Sequence, residues 1–184
     1  MENNYAEDFY EIIEALRLNE SILRDVRELI VDKEIVAKAL EGGNRKQKFK
    51  EILLELVNDE ISLEESYVLV EKELGEETSI HQGNKRVFSD GWGERLIRTN
   101  LSKFYNQAVL LEIIESGGRV CFIPYSKYED PESPCTAIAG KENDANILLQ
   151  RLVENYEEGN FTREIKIPNH PHCTHVVIPV SEIK

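Results

Sequence analysis

Residues 90–123 read DGWGERLIRTNLSKFYNQAVLLEIIESGGRVCFI, and the fold turns on them. Asp90 can cap a helix that starts at Gly91 or Trp92. Leu96, Ile97, Leu101, Phe104, Tyr105, Ala108, Val109 and Leu111 then recur at helical spacing. The pattern predicts a helix to about Ser116, which Gly117-Gly118 ends. Arg119 to Ile123 is a short run of high strand propensity. A long helix delivered directly into a strand sets an α+β class, with the Ile97/Leu101/Phe104/Ala108 stripe packed on a small antiparallel sheet.

Downstream, the loop from Tyr125 to Pro131 carries a proline and acids. Asn143 or Asp144 is placed to cap a helix ending near Gly159. Phe161–Ile167 and His175–Val180 alternate or cluster as two further strands. Upstream, the sequence reads as helices. Phe9, Ile12, Ile13 and Leu16 share one face of a segment over Tyr5–Leu18. A second helix is expected from about Ser21 to Leu40, stopped by Gly42-Gly43, and a third over Gln47–Val57. Ser62-Leu63-Glu64-Glu65 is a capping box for a fourth that ends at Gly75. The basic run Arg45 to Lys50 reads as a solvated turn or a contact patch.

Charge divides the chain. Residues 1–80 hold 21 acids and 10 bases, whereas residues 81–184 hold 14 and 12. All four histidines and all three cysteines lie beyond position 80. We therefore divide the chain into an acidic helical module, 1–80, and an α+β part, 81–184. A net charge of −13 disfavours general binding of nucleic acid, so no sequence-specific nucleic-acid partner is expected. No apolar run approaches the ~18 residues of a spanning helix, so no membrane partner is expected either. Three cysteines do not make a disulfide framework, and they suit reduced thiols or a metal in a cytosolic setting.

The densest chemistry is His170-Pro171-His172-Cys173-Thr174-His175, four metal-ligating side chains within six residues. Cys121 and Cys135 lie upstream, where the fold could bring them close. Thiolate and imidazole are zinc ligands, although the spacing is not that of a standard finger. A Cys173 nucleophile served by His172 or His175 is disfavoured, because catalytic partners usually come from separate segments. Arg95, Arg98 and Lys103 could meet phosphate, but solvated flanking charges account for them, and no glycine-rich phosphate loop is present.

Three blocks in order carry a resemblance. The first is Leu96-Ile97-Arg98-Thr99-Asn100, followed by Tyr105-Asn106-Gln107-Ala108. The second is Cys135-Thr136-Ala137-Ile138-Ala139-Gly140-Lys141. The third is His170-Pro171-His172-Cys173-Thr174-His175, followed by Val176 to Val180. Over about 90–181 the chain resembles the C-terminal domain of the phage head morphogenesis family, the Mu-F-like minor head proteins of tailed phages. Departures fall at Glu132, where the family has its first cysteine, at His175 in place of its last, and at Asn100 in place of an acid.

The resemblance implies a non-enzymatic minor head protein, acting near the portal vertex in assembly or in DNA entry and ejection. Its partners would be a portal or capsid protein and further copies of itself, in the virion or the host cytoplasm. It also implies a zinc-stapled loop, with Cys135, His170, Cys173 and His175 as ligands and Cys121 or His172 as substitutes. The alternative is an acidic phage or prophage inhibitor of a host defence protein, which would need its carboxylates on one continuous face. A zinc-dependent hydrolase would need an open metal position and a general base that no residue supplies.

Overall fold

A computed structural model describes residues 4–183. Six helices and one small sheet make an α+β fold: α1 Ile12–Leu18, α2 Glu20–Asp32, α3 Arg45–Val57, α4 Leu63–Glu73, α5 Trp92–Glu115, β1 Val120–Ile123, β2 Lys141–Asp144, α6 Ala145–Tyr156 and β3 Ile178–Pro179. The strand order is β2-β1-β3, antiparallel throughout, with Ile123 opposite Lys141 and Phe122 opposite Ile178.

Helix α5 is the axis of the molecule. Ile97, Leu101, Phe104 and Ala108 are buried, and so are Tyr105, Val109 and Leu110 on its other sides. It packs on α2, α4 and α6 as well as on β1 and β3, so the helix is enclosed rather than laid over a sheet. Its polar residues are enclosed with it. Arg98 and Lys103, expected in solvent, are buried: Arg98 lies 4.5 Å from the Phe9 ring centroid, and Lys103 Nζ donates to the Glu34 carbonyl at 2.7 Å. The apolar core runs without a break from Phe9, Ile12 and Leu53 through α5 to Ile123, Leu148 and Val177, on both sides of position 80.

The local signals explain most helix ends. Ser62 Oγ accepts from Glu65 N–H at 3.2 Å while Glu65 returns a bond to Ser62 N–H at 2.8 Å, the reciprocal capping box. Asp144 caps α6 through the Ile147 N–H at 3.0 Å. Helix α5, by contrast, is entered from Gly91 in the left-handed conformation (φ 71°), with no capping side chain, so Asp90 is not its cap.

Several expectations fail for tertiary reasons. The second helix stops at Asp32, not Leu40. Past it the chain is extended, and the Glu34 carbonyl serves Lys103 instead of a helical N–H four residues on. Tyr5 is not helical, and a 3-10 turn capped by Asp8 precedes α1. Residues 161–167 form no strand, and the Ile165 carbonyl accepts from Arg151 instead. Of residues 175–180 only Ile178 and Pro179 pair in the sheet, because Val177 N–H bonds to Asn106 Oδ1 on α5 at 2.8 Å. Strand β2, Lys-Glu-Asn-Asp, has no intrinsic strand preference and forms because β1 offers it an edge. Arg45 heads the basic run yet is buried, with its guanidinium on the carbonyls of Ala39, Leu74 and Gly75. There it satisfies acceptors left open at the end of α4.

Candidate metal centre

Two loops with little regular structure meet beside the sheet. One follows β1 and leads through Glu129 to a 3-10 turn over Pro134–Ile138, which places Cys135 in its first turn. The other runs from the cis Ile167–Pro168 peptide to Val177 and carries His170, Cys173 and His175. Side chains and backbone together fix them. Tyr156 Oη donates to the Pro168 carbonyl at 2.9 Å, Cys173 N–H closes a turn on the His170 carbonyl at 3.0 Å, and Phe9 N–H holds the Thr174 carbonyl at 2.9 Å.

The result is a convergent group. Glu129, Cys135, His170 and Cys173 each place a ligand atom within 4.8 Å of the others, and this group could hold a metal ion. Cys135 Sγ lies 3.8 Å from Cys173 Sγ and 3.7 Å from His170 Nε2. His175 Nδ1 stands at the margin, 3.9 Å from Cys173 Sγ and 3.3 Å from Glu129 Oε2. Three of the four ligands expected from sequence are thus in the mutually close set. The fourth place in it is taken by Glu129, with His175 packed behind.

Glu129 is the residue that sequence reasoning missed. It sits among Glu129, Asp130 and Glu132, three acids that no local pattern distinguishes. Asp130 and Glu132 are exposed, whereas the Glu129 side chain is 3% exposed. Its carboxylate accepts from Thr174 N–H at 3.0 Å and lies 3.3 Å from both His170 Nε2 and His175 Nδ1. A carboxylate so far out of water demands cationic partners.

The thiols are electrically unequal. Cys135 is held well below the ordinary thiol range, chiefly by the hydrogen bond from Cys173, with support from His170 and His175. Cys173 is pushed up by the same bond and by burial. His170 is raised, first by its bond to Cys135 and against the effect of burial. Ser133 Oγ reaches both Cys135 Sγ, at 2.9 Å, and His170 Nε2, at 3.0 Å. His170, with a third of its side chain exposed, is the open side of the group.

The two substitute ligands are elsewhere. Cys121 is buried on β1 with Sγ 3.5 Å from the Asn143 carbonyl, and burial pushes its thiol up to about 12. His172 is outside the mutually close set, and partial loss of water, with the nearby Arg98 charge, lowers its affinity for a proton. His81 is outside the group and pairs instead with Glu41 of the helical half, at 2.6 Å. Comparison of the chain with protein-family models, curated proteins and solved structures gives no match.

Proposed function

We propose that the chain is a non-enzymatic phage structural protein, a minor head or head-morphogenesis component, whose two C-terminal loops are tied by one structural zinc ion. One observation carries the reading. Cys135 and the His170/Cys173 pair come from the second and third blocks of the resemblance, and the separations of Cys135 Sγ from the other two donors match those of a zinc tetrahedron. A tetrahedron with zinc–sulfur bonds of about 2.3 Å and zinc–nitrogen bonds of about 2.0–2.1 Å has edges of about 3.8 Å between sulfurs and about 3.5 Å between sulfur and nitrogen. The corresponding separations are 3.8 Å and 3.7 Å. Two thiols favour zinc over calcium or magnesium, which take oxygen.

Four protein donors converge on a site with four positions, so the protein alone can fill it without a substrate water. This supports a structural centre over a hydrolytic one. The surface also supports a binding role over a nucleic-acid mimic: carboxylates of the helical half are interleaved with cations, as in Arg17–Asp59 and Lys46–Glu34. No helix among the described residues is long and apolar enough to cross a membrane.

Metal analysis of purified protein tests the centre. One zinc per chain is expected, falling to well under one in Cys135→Ser and Cys173→Ser. Cobalt loading should give the intense thiolate-to-metal absorption of a tetrahedral site. Mass spectrometry of purified heads tests the role: the chain should be present in few copies, and its absence from heads would overturn it.

A further inference from the structure

Outside the metal centre, a groove of about 530 Å³ runs along the first two turns of α5. Trp92, Leu96, Val36 and Phe161 give it apolar walls, and Phe161 and Val36 are 75% and 44% exposed. Its rim is basic. Lys38, Arg86 and Arg95 line it, and none is paired with a carboxylate among the described residues. Arg95 is held in place by the carbonyls of Asp90 and Ser89. The one carboxylate of the lining, Glu41, is engaged by His81 at 2.6 Å. Three free cations around an apolar floor are anomalous in a chain of net charge −13.

The same chain offers the complement. Helix α4 buries Ser66 and Val70 inward, against α3 and α5. On its outer side Ile61, Glu64, Glu65, Val68, Leu69 and Lys72 follow one another at helical spacing, and Val68 is 69% exposed. This is an apolar ridge with Glu64 near its N-terminal end and Lys72 at the other, while the Glu65 carboxylate turns back to Ser62 N–H at 2.8 Å. Packed where it is, α4 cannot turn this ridge into its own groove.

We infer that the outer ridge of α4 on one copy docks in the basic-rimmed groove of a second copy, in a head-to-tail contact. Val68 enters between Trp92 and Phe161, and Glu64 meets Lys38, Arg86 and Arg95. Ridge and groove are different surfaces, so each copy keeps one of each free, and the contact propagates to a ring or a filament. The inference does not depend on the zinc reading.

Two variants at exposed positions test it, each checked for an unchanged circular dichroism spectrum and zinc content. Sedimentation velocity over a concentration series should show wild-type self-association that weakens with salt. Val68→Asp, with a broken ridge, and Lys38→Glu/Arg86→Glu, with a broken groove, should each weaken it at least about tenfold. Mixed together, the two retain one intact groove and one intact ridge between them, and should form a 1:1 dimer that grows no further. A wild type that stays monomeric overturns the inference and leaves the groove to another acidic partner. A mixture that stays monomeric, or that builds species beyond the dimer, overturns it too.

Discussion

The helices of residues 12–73 and the loops of residues 124–140 and 160–177 keep their backbones in place by different means. In the helices, N–H and C=O groups pair within each element, and apolar faces such as Ile12/Leu16, Ile22/Val26 and Ile52/Leu56 press together. In the loops they bond to side chains far away in sequence: Thr174 to Glu129, Val177 to Asn106, Pro168 to Tyr156, Pro171 to Arg98. A backbone held from outside is only as firm as its holders. The cluster at Glu129, Cys135, His170 and Cys173 joins the two loops at the point where regular structure is scarcest. The metal we propose there would do the work that helical hydrogen bonding does elsewhere.

Removing the proposed metal is the most severe way to break this contrast. Structural zinc contributes about 10–16 kcal/mol of apparent binding energy in finger peptides. Chelation, or Cys173→Ala, should lower the melting temperature by at least about 10 °C. Hydrogen exchange should then rise at 124–140 and 160–177 and stay slow in α2 and α3. Equal loss of protection in all of these segments would show that the two regions do not differ as described.

Phe104 sharpens the contrast from the other side. It is fully buried on α5, which packs on helices of both halves. Phe104→Ala should cost about 3–5 kcal/mol in denaturant unfolding. Because the core is continuous, protection should fall in α2 and α6 alike. A variant within 1 kcal/mol of wild type would remove Phe104 from the core.

The same contrast explains what could be read in the sequence. The four upstream helices, the α5 stripe, the Ser62 box and the β1 strand rest on neighbours within a few residues, so periodicity and capping reveal them. Strand β2, the extended segment after Asp32 and the irregular course of 161–167 are settled by distant partners: β1, Lys103 and Arg151. In the centre, Cys135, His170 and Cys173 could be named because thiols and imidazoles are rare and chemically marked. Glu129 could not, since one acid among 35 carries no mark until burial singles it out.

The helical part is not wholly apolar, and Lys103 gives the smallest and most specific test of the contrast. Its ammonium is entirely buried, bonded to the Glu34 carbonyl at 2.7 Å, with Glu157 Oε1 at 3.8 Å and the Phe104 ring centroid at 4.4 Å. Burial, only partly offset by Glu157, pushes its pKa down from 10.5 to about 8. Between these values the unfolded chain binds a proton that the folded chain has released. Stability should therefore rise as pH goes from about 8 to about 10.5, and fall back as pH drops through about 8. A shift of that size corresponds to at most about 3 kcal/mol. Lys103→Met removes the titrating group. It also leaves the Glu34 carbonyl without its donor, but that cost does not vary with pH. The raised tyrosines Tyr5 and Tyr156 titrate in both proteins and cancel in the difference. Urea unfolding of both proteins at pH 7, 8, 9 and 10 should thus show wild type gaining about 2–3 kcal/mol on the variant from pH 8 to pH 10. A difference flat with pH would mean that Glu157 keeps Lys103 charged throughout. The helical core would then hold a buried ion pair of its own, and the line between a dry helical region and a polar, ligand-held loop region would have to be redrawn at α5.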